Sequence, residues 1–99
     1  MTKSKSYHSF LIESLRDPLE ASAYIDAVLE EGDPQHIMLA LRNVVEAQRQ
    51  VADLRDLSWE RIDRILAQSE PPSLVDFAKL LNDLGLRLSV VSGEERIAA

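Results

Sequence analysis

The sequence predicts an all-α fold of five or six short helices with one short C-terminal β-strand. Three observations carry that expectation. Apolar residues recur at three- and four-residue spacing over most of the 99 residues. Helix start and stop signals (Asp-Pro twice, Gly32, Pro71-Pro72, Gly85) divide that pattern into short runs. Near the end, "LRLSVV" (86–91) alternates apolar and polar residues with period two. The expected organisation is a polar, disordered segment 1–6, a single helical domain 7–91, and a flexible tail 92–99. Within the domain, 7–32 holds two N-terminal helices, 33–85 a helix-turn-helix core, and 86–91 the strand.

Each element follows from its residues. Tyr7, Phe10, Leu11 and Leu15 lie at helical spacing and define a first helix. Asp17 caps the second and Pro18 occupies its first position; Ala21, Tyr24, Ile25, Val28 and Leu29 form its apolar stripe, and Gly32 closes it. Asp33-Pro34 repeats the start signal for a third helix with Ile37, Met38, Leu41, Val44 and Val45 inside, ending at a polar break, "QRQ" (48–50). Val51, Leu54 and Leu57 suit a short fourth helix. Ser58 caps a fifth carrying Trp59, Ile62, Ile65 and Leu66 on its inner side. Pro71 and Pro72 stop it. Ser73 caps a sixth, with Asp76 in its first turn and Leu74, Phe77, Ala78, Leu81 and Leu84 along its stripe. A lone strand at 86–91 leaves half its backbone groups unpaired. Leu88 and Val90 are therefore candidates for a homodimer contact, and a partner's sheet edge is the alternative.

Charge narrows the function. The net charge is −6, and residues 17–33 alone hold Asp17, Glu20, Asp26, Glu30, Glu31 and Asp33 with no Lys or Arg. A dominant nucleic-acid binder needs a basic face, because counterion release from phosphates drives its affinity. This chain has no basic block, and its acidic helix suits either solvation or a basic partner. No apolar run reaches transmembrane length and no signal-peptide pattern is present, so the expectation is a cytoplasmic protein without membrane contact. The absence of cysteine excludes disulfides and thiolate metal sites. His8 and His36 lack companions at ligand spacing, there is no glycine-rich phosphate loop, and no nucleophile-base pairing is arguable from spacing. The expectation is a non-enzyme without cofactor or metal, acting through its surfaces.

Several stretches together resemble one family: "YHSFLIESLRDPLEASAYIDAVLEEGDP" (7–34), "LALR" (39–42), "LSWERIDRIL" (57–66) and "LGLRLSV" (84–90). They are similar to the addiction-module antidote proteins, HigA-type antitoxins with an Xre/phage-repressor-like helix-turn-helix. The resemblance covers residues 7–90, and its specific part is the N-terminal run. It implies an antitoxin of a type II toxin-antitoxin module that neutralises a RelE/HigB-like toxin, a small basic ribonuclease. It also implies a dimer that binds operator DNA to repress its own operon. The acidic segment is complementary to such a toxin. One departure stands out: Leu57-Ser58 follows Asp56 directly, whereas the family carries a Gly-containing turn there. The alternative reading is accordingly an Xre-like transcriptional regulator, or a protein-interaction module with weakened or lost DNA binding.

Carried over position by position, the resemblance puts Ser58, Trp59, Arg61 and Arg64 on the DNA side of the recognition helix, with Gln48, Arg49 and Gln50 approaching the backbone. Read as residues, Trp59 suits the core better than the surface, as a large ring beside Ile62 and Leu66, and Glu60 with Arg64 suits an ion-paired helix face. For a toxin, the candidates are Tyr7, Phe10 and Leu11 as apolar anchors and Glu30 and Glu31 for charge steering; core packing is the competing role of the aromatics.

Overall fold

A computed structural model describes residues 6–51 and 59–93, and its architecture is all-α. Among the described residues the helices are α1 (Tyr7–Ser14), α2 (Pro18–Glu31), α3 (Pro34–Val51), α4 (Trp59–Leu66) and α5 (Leu74–Asp83). Of the helix expected around Val51, Leu54 and Leu57, Val51 is the last residue of α3; Leu54, Leu57 and the Ser58 cap lie outside the described residues, as do 1–5 and 94–99.

The start signals operate as the chemistry of helix termini requires. The first amides of a helix have no partner within it, and a side-chain oxygen just upstream satisfies one of them. The Ser6 hydroxyl accepts from the Ser9 amide (3.2 Å), Asp17 Oδ1 from Leu19 (2.9 Å), Asp33 Oδ1 from Gln35 (2.9 Å), and the Ser73 hydroxyl from Asp76 (3.2 Å). Gly32 ends α2 in the left-handed region (φ +84°), where its N–H donates to Val28 O (3.0 Å). A side chain there would strain the reversal that folds α2 back onto α3.

α3 is the central element: α1, α2 and α4 all pack on it. Met38, Ala40, Leu41, Asn43, Val44, Val45 and Ala47 are buried, which covers more of its circumference than a one-sided stripe would. The core is completed by Ile12 and Leu15, by Ala21 and Ile25, by Ile62 and Ile65, and by Phe77, Leu80, Leu81 and Leu84. Burying a side chain such as Leu41 or Ile62 contributes about 1.5–3 kcal/mol. Among the described residues one polar side chain is buried in that core, Asn43, whose Nδ2 donates to the Tyr24 hydroxyl (2.9 Å) and ties α3 to α2.

Four sequence expectations are corrected. "QRQ" is no break: α3 continues through it to Val51. Gln and Arg are good helix formers, and buried Ala47 holds the preceding turn on the core. Tyr7 and Phe10 are not on the inner side of α1. Leu11, Ile12 and Leu15 are, leaving Tyr7 79% and Phe10 57% exposed. Glu60 and Arg64 form no ion pair; the acids that engage the arginines nearby are Asp63 and Asp83. Finally, 86–91 forms no strand ladder, because the described chain offers no second strand beside it. Leu86 and Leu88 still rest half-buried on the core while Arg87 and Ser89 face out, the period-two alternation of an extended segment.

Candidate functional site

Two surfaces gather the candidate residues. The first is the junction of α3 and α4, where a DNA-reading helix would stand. Arg49, near the end of α3, lies over the Trp59 ring with its guanidinium carbon 4.4 Å from the ring centroid, and it pairs with Asp63 of α4. Trp59 is half-buried and packs against the core as well as beneath Arg49. Arg61 turns toward α5 and pairs with Asp83. Gln48 is half-buried, and Gln50 accepts from Arg16 Nη2 in the turn after α1 (2.8 Å). Arg64 alone among these arginines is exposed with no hydrogen bond or ion pair to another described residue. Ser58 lies outside the described residues.

Sequence reasoning missed Arg42. Its guanidinium reaches from α3 to the C-terminus of α4, donating to Leu66 O from Nη2 (2.9 Å) and Nε (3.3 Å) and to Gln68 O (3.3 Å). The last carbonyls of a helix have no partner within it and carry partial negative charge, so a cation there holds the helix end in place. Nothing in the local spacing of "LALR" announces a contact 24 residues away. Of the four arginines Arg42, Arg49, Arg61 and Arg64, three are thus engaged within the molecule.

The second surface is built by α1 and α2. Tyr7 and Phe10 lie three residues apart on one exposed face of α1, and Leu11 is half-buried beneath. α1 is held to α3 by polar contacts as well as by Ile12: His8 Nε2 lies 3.2 Å from Glu46 Oε1, beside the bond from Arg16 to Gln50. α2 exposes Glu20, Asp26, Glu30 and Glu31, with Leu19 78% exposed among them. Glu30 and Glu31 stand in the last turn of α2, which has no basic residue. Carboxylates at that end oppose the helix dipole, so this placement costs local stability rather than supplying it. His36 compensates part of it: its Nδ1 lies 3.0 Å from Glu31 Oε1 and 3.7 Å from Asp33 Oδ2. The hydrogen bond with Glu31, with the charges of Asp33 and Glu31, raises the His36 pKa above its ordinary 6.5.

Of the dimer candidates, Leu88 is half-buried and Val90 is 96% exposed. Among the described residues no group of three His, Cys, Asp or Glu side chains is placed to hold a metal ion, and no helix is long and apolar enough to cross a membrane. What this geometry offers is contact area, apolar and acidic toward the N-terminus and largely charge-neutralised at α4. Comparison with known protein families, with curated proteins and with solved structures gives no match for this chain.

Proposed function

We propose that the chain is a protein-binding inhibitor, the antitoxin of a type II toxin-antitoxin module, which neutralises a basic RelE/HigB-like ribonuclease through the α1 and α2 surface. The observation that carries the reading is the placing of exposed Tyr7 and Phe10 beside an acidic α2 that carries Glu20, Asp26, Glu30 and Glu31 on its exposed surface and no Lys or Arg. Exposed aromatics are poor for solubility and good as interface anchors. An enzyme that grips RNA must present positive charge, and an acidic face meets it with favourable long-range attraction.

Operator binding is the weaker half of the reading. A helix entering a DNA groove needs cations free to reach phosphates and base edges. Arg49 and Arg61 are held by Asp63 and Asp83, so the observations favour a module in which partner binding dominates and DNA contact is reduced.

The test is co-expression with the protein encoded beside it. A small basic protein that co-purifies, and whose RNA cleavage the chain suppresses, is the expected result. Tyr7→Ala with Phe10→Ala should weaken that complex by about thirtyfold or more, the scale of an aromatic hot spot. The helical fold should survive, since neither residue is in the core. A neighbour that is not basic, or that does not bind, removes the proposal.

A further inference from the structure

A groove runs between α2 and α5. Close packing joins α3 to α1, α2 and α4, whereas α5 reaches the core through Phe77, Leu80 and Leu81 without packing closely along α2. The middle of the groove is lined by Leu29, Ile37, Pro71, Pro72, Leu74 and Phe77, with no polar side chain among them. Leu74 stays 72% exposed there, an apolar side chain with open space in front of it. Through Leu29 the groove continues to Asp26 and Arg87, and through Pro71 to Asp33 and Glu70.

The charges at its two ends define what can cover it. Three carboxylates, Asp26, Asp33 and Glu70, stand against one guanidinium, Arg87. Glu70 is exposed and makes no hydrogen bond or ion pair to another described residue. Lys79 adds nothing to the balance: it lies two residues from both Phe77 and Leu81, on the opposite face of α5. The chain itself offers no match. Residues 52–58 and 94–99 each bring two acids and one arginine, and 1–5 bring Lys3 and Lys5 with Met1 as the only apolar residue. A second copy, at net charge −6, meets an acidic rim with the wrong sign. Main-chain chemistry selects further. The walls are helices whose interior N–H and C=O groups are bonded within them, and Pro71 and Pro72 have no N–H, so an extended peptide finds no edge to pair with. A helix arrives with its own main-chain bonds already made.

We propose that this groove docks a basic amphipathic helix of another protein. Its apolar stripe seats on Leu29, Ile37, Leu74 and Phe77, and Lys or Arg residues flanking the stripe reach Asp26, Asp33 and Glu70. The wall from Ser22 to Leu29 spans about 10 Å at the helical rise, so with the Pro71 end the groove holds two to three turns, with anchors at i, i+3 or i+4, and i+7. Neither Tyr7 nor Phe10 lines it, and the proposal stands without the antitoxin reading.

The probe is a fluorescein-labelled helical peptide of about 14 residues built from Leu and Lys, with Leu at i, i+3, i+4 and i+7; a Leu–Glu peptide of the same pattern is its counterpart. Anisotropy with the full chain should show micromolar binding of the Leu–Lys peptide and none of the Leu–Glu peptide. Leu74→Gln should weaken binding about tenfold or more, and Val75→Gln, a similarly exposed neighbour outside the groove, less than about twofold. Glu70→Gln should weaken it as well, whereas Glu20→Gln, an equal loss of charge away from the groove, should not. All four positions are exposed, so thermal melts should show each variant folded. No binding up to about 300 µM overturns the proposal. Binding weakened equally by Val75→Gln or Glu20→Gln overturns it too, by reducing the effect to net charge. Binding that appears only after residues 94–99 are deleted gives the groove to the chain's own tail, and a Leu74→Gln variant that changes the sedimentation of the free chain gives it to a second copy; either result overturns the proposal.

Discussion

The internal pairing of the α3 and α4 arginines gives DNA binding a measurable signature. Each phosphate neutralised by a protein cation releases counterions, and log K falls against log salt with a slope of about −0.9 per contact. Arg42, Arg49 and Arg61 are committed to helix carbonyls, Asp63 and Asp83, which leaves Arg64 as the cation of that group without a described partner. The expected slope is therefore about −1 per protomer, or about −2 for a dimer engaging two half-sites. Between about 50 and 200 mM salt, that dimer would lose roughly tenfold in affinity, against the 10³–10⁵ of a protein with six to ten phosphate contacts. Fluorescence anisotropy with a duplex from the chain's own promoter, titrated at four salt concentrations, measures it. Replacing Asp63 and Asp83 together with Asn removes the carboxylates paired with Arg49 and Arg61, and should steepen the slope by about 1–2 per protomer while tightening binding at low salt. Each surface pair contributes only about 0–1 kcal/mol to stability, so the variant should remain folded. A native slope of −5 or steeper (about the count of a full phosphate footprint), or an Asn variant that binds DNA no better, would refute the claim that these acids hold the arginines back.

Two further outcomes concern the elements that carry the N-terminal surface. Tyr24→Phe leaves the buried Asn43 amide without its acceptor and should cost about 1–3 kcal/mol. Thermal melting followed by circular dichroism should then show a midpoint lower by about 4–8 °C per kcal/mol, with partial recovery in the Tyr24→Phe, Asn43→Leu double variant. His36 has a folded-state pKa raised above 6.5 by Glu31 and Asp33, so its contribution to stability is complete below the unfolded value and is lost as pH rises through the folded one. His36→Gln should remove that part of the pH dependence above about pH 6. The ring-proton titration of His36 by NMR supplies the folded value directly; a midpoint at or below 6.5 would contradict the contact with Glu31.

The all-α class and the termini of α2 and α5 were legible because they depend on short-range chemistry. Asp17 with Pro18, Gly32, and Ser73 with Asp76 act within one turn of the chain, and a reader of the sequence sees both members of each interaction. Position along a helix circumference is less local. Tyr7 and Phe10 share helical spacing with Leu11 and Leu15, but Ile12 and Leu15 take the inner place because α1 meets α3 there. Periodicity identifies a stripe without saying which edge of it the neighbouring helix covers. Burial alternates over 86–89 as the strand pattern predicts, yet alternation speaks only for the side chains. Whether a ladder forms depends on a second strand, and the described chain holds none.

The candidate DNA residues show the same limit in electrostatic form. A sequence lists Arg49, Arg61 and Arg64 as equal cations, and the nearest acid at helical spacing, Glu60, looks like the natural partner of Arg64. The fold pairs them otherwise, across 14 residues from Arg49 to Asp63 and 22 from Arg61 to Asp83. What a recognition helix can offer to DNA is its cations minus those its own scaffold engages, and only the tertiary structure performs that subtraction. The acidic face is less exposed to the difficulty, because all six acids of residues 17–33 share a segment with no Lys or Arg, and the ion pairs that Glu31 and Asp33 form beyond it are with His36. Its sign is thus legible from sequence, and for the same reason the protein-binding half of the proposal rests on firmer physical ground than the DNA-binding half.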